Sequence, residues 1–222
     1  MRILAIEQST SNCSAVIMRD GGVVAEQEWE NTNLRTQHFF ALLPVLFQKA
    51  MITPSDIDTY ATGLGPGSFS GLRCALSALN GLALPDKKRV FGITSADALA
   101  WQTMQETGAG VIMILGDARR DHIWHVCYDR RNNLPQRRAA VSLVAADKLS
   151  SILEGHETIA TSDWDRIGER IRQSAGKGIK IIAERRIPRA STIGELVARK
   201  IAMNLPSEPL TPIYLHPPVA VR

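Results

Sequence analysis

Residues 61–84 read ATGLGPGSFSGLRCALSALNGLAL, and the rest of the chain is organised around them. An apolar approach reaches Gly63, Gly65, Pro66 and Gly67, and a helix follows at once. Ser68 is its natural N-cap, because a hydroxyl there accepts one of the N–H groups that a first helical turn leaves unpaired. A glycine-rich turn feeding a helix makes a concave ring of N–H groups at the positive end of a dipole, which suits an anion or a phosphate. Gly65, Gly67, Ser68, Ser70, Gly71 and Arg73 are the residues such an anion would meet. The turn holds no lysine and matches neither GxxxxGK[ST] nor GxGxxG. A tight strand-to-helix turn that needs glycine for its backbone freedom explains the same residues equally well.

The helix after the turn is unusual in its surface. Residues 75–84 carry no charge. Leu72, Leu76, Leu79 and Ala83 form one apolar stripe; Cys74, Ala78 and Gly81 form a second of small side chains. A surface helix of a monomer shows a polar face. This one is therefore either wholly buried or shared between its own core and another protein, and the small stripe favours sharing. A second helix is expected over residues 36–50, where Phe39, Leu42, Leu43, Leu46, Phe47 and Ala50 keep helical spacing. Phe40 and Val45 widen that stripe beyond one core contact. His38, at its start, reads as a capping or packing histidine.

Upstream, residues 2–6 and 13–18 read as strands, joined to a third at 23–29 through the turn Asp20-Gly21-Gly22. The first strand ends in Glu7-Gln8-Ser9-Thr10, an acid followed by a hydroxyl-rich turn. Thr53-Pro54-Ser55-Asp56 has the cap, proline and acid of a short helix start. Strands are expected at 57–62, 90–93, 111–115, 122–128, 139–144, 158–161 and 179–183. Helices are expected from Thr94 or Ser95 to about 105, at 146–153, at 164–174, and at 193–204 opened by Ser191 or Thr192. A hinge at Ala109-Gly110 divides the chain into an N-terminal lobe, 1–109, and a smaller C-terminal lobe, 110–222. No internal repeat stands out.

Bulk properties exclude several classes. Apolar residues make up 45% and charged residues 22% of 222, the balance of a soluble globular protein. No apolar run approaches the ~20 residues that span a membrane, and the N-terminus lacks a signal-peptide core, so a cytoplasmic protein is expected. Cys13, Cys74 and Cys127 are odd in number and far apart, which fits reduced thiols and neither a disulfide framework nor a zinc site. His122 and His125 lie three apart on an expected strand and so point to opposite faces, which argues against a shared metal. Residues 1–110 hold 8 Lys/Arg and 10 Asp/Glu, whereas residues 111–222 hold 18 and 12. The second half is basic, in scattered arginine pairs.

GPGSFSGLR at 65–73 resembles the GPGSFTGLR signature of the TsaB (YeaZ) family, with Ser70 at the threonine. Residues 38–44 resemble that family's HSxxLLP, with Phe39 at the serine. Residues 115–124 resemble IDARRGEVYW, with Gly116 before the Asp, and the tail at 212–216 resembles P-x-Y-L-R, with His216 at the arginine. The resemblance implies an α/β, actin-like ATPase (ASKHA, ribonuclease H-like) fold of two lobes, the second reduced. In such folds residues 7–10 correspond to the first phosphate loop. Glu7 stands where the family has Asp, moving the carboxylate by about a bond length, which a magnesium water network tolerates poorly. Glu7, Ser9 and Thr10 are thus expected to be a vestigial phosphate loop, with no catalytic residue and no metal.

The resemblance further implies a non-catalytic subunit that dimerises with a TsaD-like catalytic paralogue. That pair, with a TsaE-like ATPase, transfers threonylcarbamoyl to N6 of adenosine 37 in tRNAs reading ANN codons. His38, Phe39, Leu42, Leu43, Leu46, Cys74, Ala78 and Gly81 are the expected partner surface. No cofactor is expected on the isolated chain, ATP or ADP at the complex interface stays open, and so does a homodimer when the chain is alone. The tRNA is met through the complex. The competing class is an independent enzyme of this fold, a small-molecule kinase or ATPase, or a glycoprotease-like peptidase. Glu7, the missing lysine, and the absence of HExxH and of a GxSxG elbow speak against it.

Overall fold

The structure is a computed structural model and describes residues 1–31, 37–154 and 158–215, with side chains omitted at Gln37 and His38. The chain forms two compact units, one of Met1–Ala98 with Pro188–Ile213, the other built on Leu99–Ile187.

In the first unit β1 (Arg2–Glu7), β2 (Asn12–Arg19) and β3 (Gly22–Glu30) form an antiparallel meander. Asp20 and Gly21, both at positive φ, make the two-residue turn that matches strand twist. The chain then runs through α1 (Gln37–Ala50) to β4 (Thr59–Gly63), which pairs parallel with β1. From there α2 (Phe69–Ala83) leads to β5 (Arg89–Ile93), parallel to β4. The sheet order is β3-β2-β1-β4-β5. Strands alternate their side chains between two faces. Leu4, Ile6, Ala15 and Ile17 pack under α1 and α2 together with Phe39, Leu46, Tyr60 and Leu79.

The second unit begins at Leu99, within α3 (Ser95–Thr107), whose first turn is capped by the Thr94 hydroxyl accepting from the Asp97 N–H at 3.0 Å. β6 (Val111–Arg119) and β7 (His122–Arg131) form a hairpin, continued by β8 (Leu134–Arg137) and by β9 (Ser142–Ala145), which also pairs with β7. α4 (Leu149–Leu153), β10 (Thr158–Thr161), α5 (Trp164–Ser174) and β11 (Lys180–Arg185) complete the unit. Its order is β11-β10-β6-β7-β8, with β10 parallel to both β6 and β11. Read from its own first strand, this is the arrangement of the first unit repeated. The single strand expected at 139–144 is instead β8 and β9. The Asn132-Asn133 turn, both residues at positive φ, creates β8 and is the signal that reading overlooked.

α6 (Ala190–Ala202) returns to the first unit and packs on β1, β2 and β4. Ala5 and Met18 lie against Gly194 there, on the sheet face opposite α1 and α2. Coverage on both faces is why β1 reads as a continuous apolar run. Two sequence expectations are corrected here. The division at 109/110 fails for residues 99–109, which fall in the second unit, and for residues 188–213, because the apolar stripe of α6 is used by the first sheet. The helix also starts at Ala190 and not at Ser191 or Thr192, because the Ala190 N–H donates to the buried Ser14 hydroxyl of β2 at 2.8 Å.

Candidate functional site

β1 and β4 are parallel neighbours, so the loop after Glu7 and the glycine turn after Gly63 leave the sheet side by side. The two close on each other. The Ser68 N–H donates to the Ser9 carbonyl at 2.7 Å, and the Ser68 hydroxyl caps α2 by accepting from the Gly71 N–H at 3.3 Å. A Cβ on Gly67 would collide with the Ser9 carbonyl, and one on Gly71 with the Gln8 carbonyl. Glycine is required at both places because another backbone lies against them. Two carbonyl oxygens of the chain thus sit at the start of α2, where a helix terminus attracts negative charge. Gly65, at φ +86°, supplies the left-handed turn, and the peptide bond to Pro66 is cis.

Glu7 faces inward and is fully buried. Its Oε1 accepts from the Ser9 N–H at 2.6 Å and its Oε2 from the Ser95 hydroxyl at 2.8 Å. Ser95 ties the carboxylate to the turn, since its Oγ accepts from the Gly65 N–H at 3.0 Å and its N–H donates to the Gly65 carbonyl at 2.8 Å. A side chain on Gly63 would collide with the Glu7 Oε2, so glycine there makes room for the acid. Burial pushes the Glu7 carboxyl above its ordinary range, against the opposing hydrogen bonds from Ser9 and Ser95. No ion pair to Glu7 is present among the described residues. The Thr10 hydroxyl donates to the Asn12 carbonyl, while Ser9 Oγ and Gln8 Nε2 are buried without a partner among the described residues. Burial first, then the Glu7 and Cys74 charges, push the neighbouring Cys13 thiol up to about 12. Ser95 was legible only as part of a helix start; its contact with Glu7 spans 88 residues and leaves no local trace.

The two helices on this face divide the expected partner residues. Phe39, Leu43 and Leu46 are buried against β1, β2 and Tyr60, which corrects their assignment to a partner surface: the monomer core uses them. Leu42, Cys74 and Ala78 are half-buried at the edge of that core, and Gly81 is exposed with open space where a Cβ would lie. The His38 side chain falls outside the described residues. Beside these, Phe40 is 55% exposed, Phe69 54% and Leu84 76%, with Val45 also exposed. Arg73 lies over the Phe69 ring at 4.3 Å from its centroid. The exposed described positions of α1 and α2 include two charges, Lys49 and Arg73.

Elsewhere the expected signals are unremarkable. His122 Nδ1 lies 2.7 Å from the Arg120 carbonyl, and no cluster of three potential metal ligands occurs among the described residues. The Ile213 N–H donates to the Leu64 carbonyl at 2.9 Å, which seats the tail on the glycine turn; His216 lies outside the described residues.

Comparison with known proteins bears on what this geometry serves. The family model described as "TsaD: tRNA N6-adenosine threonylcarbamoyltransferase" matches residues 5–207. The chain is 28% identical over 181 residues to the tRNA threonylcarbamoyladenosine biosynthesis protein TsaB of Escherichia coli (strain K12), covering 82% of this chain and 71% of that one. It is 27% identical over 137 residues to TsaB of Bacillus subtilis (strain 168), covering 60% of this chain and 58% of that one. Among solved structures it resembles YeaZ from Pseudomonas aeruginosa, with a TM-score of 0.79, 23% identity, and coverage of 96% of this chain and 99% of that one. That likeness, together with the repeated sheet order, identifies the actin-like ATPase fold.

Proposed function

The chain belongs to the family of the tRNA N6-adenosine threonylcarbamoyltransferase TsaD, and from that premise we propose that it is a TsaB-type subunit of the machinery that makes threonylcarbamoyladenosine in tRNA. Its role is non-catalytic: it docks on a TsaD-like catalytic subunit through the outer faces of α1 and α2, in a complex that also contains a TsaE-like ATPase. The observation that carries this reading is the nearly uncharged outer face of the two helices, with Phe40, Val45, Phe69 and Leu84 exposed. Apolar patches of this kind mark interaction sites. The glycine turn supports the non-catalytic part. It receives the Gln8 and Ser9 carbonyls, and the carboxylate beside it is turned into the protein. A nucleotide, where one binds, belongs at the junction of the complex and is completed by the partner.

The test uses Gly81→Arg. Gly81 is exposed with open space around it, and replacing this glycine in the last turn of α2 removes a helix penalty of up to about 1 kcal/mol. The variant is expected to keep or raise the Tm. Mixed with the TsaD-like protein of its own source, it is expected to lose complex formation by about 100-fold, since a desolvated unpaired charge costs several kcal/mol. A complex of wild-type mass and affinity would show that the partner docks elsewhere.

A further inference from the structure

We propose that the protein surface covering α1 and α2 carries carboxylates, and that Lys49 and Arg73 meet them. This rests on the docking reading above and adds the chemistry of the partner's side, which that reading leaves open. Residues 37–50 and 69–84 contain no Asp or Glu. Their only Lys or Arg residues are Lys49 and Arg73, and both are exposed. The same two helices expose Phe40, Val45, Phe69 and Leu84. An apolar face with so few cations suits a folded protein and not a nucleic-acid backbone, whose phosphates need a dense row of positive charge.

Neutral groups hold each cation in place. Lys49 Nζ donates to Gln27 Oε1 at 2.9 Å, which uses one of its three donors. The Arg73 guanidinium lies over the Phe69 ring at 4.3 Å from its centroid. An amide oxygen and an aromatic face order a cation without cancelling its charge. Stacking uses the flat side of the guanidinium, whose N–H donors point outward in the plane, the geometry that a carboxylate meets with two bonds. Both helices cross between parallel strands, α1 from β3 to β4 and α2 from β4 to β5, and so run in the same direction. Lys49, in the last turn of α1, and Arg73, in the second turn of α2, therefore lie towards opposite ends of the face, and a matching partner carries two separate acids, not one cluster. A partner that covers the apolar side chains also takes water from the cations beside them. A charge taken out of water is tolerated beside an opposite charge. With no acid on either helix, the partner supplies it.

The experiment measures association and dissociation rates of the full chain with the TsaD-like protein of its own source at several salt concentrations. Wild-type affinity is expected to fall as salt rises. Arg73→Gln and Lys49→Gln should keep the wild-type Tm and bind more weakly near 0.1 M salt, by about 10-fold and about 3-fold, each with a flatter dependence of affinity on salt. Lys49→Glu should bind more weakly than Lys49→Gln, mainly through slower association. If Arg73 served only to pack Phe69, Arg73→Gln would weaken binding and leave the salt dependence as in wild type, which overturns the proposal. Unchanged affinity and salt dependence in both glutamine variants overturn it as well, as does tighter binding by Lys49→Glu. If Arg73→Gln lowers the Tm, the two Lys49 variants decide. Failure of the wild-type chain to join the TsaD-like protein overturns the function proposed above, and is seen before any variant is compared.

Discussion

Glu7 is the residue whose chemistry sets it apart from its surroundings. A carboxyl whose pKa is raised on folding binds its proton more tightly in the native than in the unfolded chain. Its contribution to stability is therefore full below the unfolded value of about 4.3 and declines as pH rises from there through the raised folded value. Glu7→Gln has no such proton and keeps an oxygen for the Ser9 N–H and an amide group for the Ser95 hydroxyl, which can accept it. Measured by denaturant unfolding between pH 4 and pH 8, the wild type minus Glu7→Gln difference in stability is expected to fall as pH rises. A difference that is flat or rises with pH would show that Glu7 sits in a less apolar place than its burial implies. The same variant is expected to leave partner binding intact, since the carboxylate faces the turn and not the outer helices.

At the scale of an element, the start of α6 is capped by a hydroxyl from a distant strand. Four N–H groups at a helix start have no partner within the helix. Here the cap position, Arg189, makes no side-chain cap bond, and Ser14, near the start of strand β2, accepts from the Ala190 N–H instead. Both groups are buried, so Ser14→Ala leaves an unpaired donor with no water to satisfy it. The variant is expected to lose about 1–3 kcal/mol by chemical denaturation. A loss under about 0.5 kcal/mol would mean that the helix start relaxes to water. α2 differs, because its cap, Ser68, is the residue adjacent to the helix and is readable from sequence.

For the whole molecule, the first unit is completed by a segment far along the chain. Ile193, Leu196 and Val197 of α6 are buried in it. Burying a side chain of this size stabilises by about 1.5–3 kcal/mol, so the three together rival the ~5–15 kcal/mol that holds a domain folded. A chain ended after Ile187 is expected to lose the cooperative melting of the first unit and to bind a dye for exposed apolar surface. A wild-type transition in that chain would show that α6 is an accessory. Among the described residues no helix is long and apolar enough to cross a membrane.

The sequence alone determined the features that are local. The glycine turn and its Ser68 cap, the Asp20-Gly21 hairpin, the short capped turn at 53–56 and the span of α5 each rest on contacts between residues close in the chain. Helical spacing likewise located α1 and the apolar and small-residue stripes of α2. Which stripe faces the core was decided only by packing, because Phe39 and Phe40 carry the same side chain and differ by one helical step, yet one is buried and the other exposed. The same holds for Glu7 and Ser95, for Ser14 and Ala190, and for the return of α6 to the first sheet, whose partners lie 88 and 176 residues apart in the first two cases. The two sheets share one strand order without a visible sequence repeat, because many side-chain sets fill the same layered core once the alternation of faces is kept.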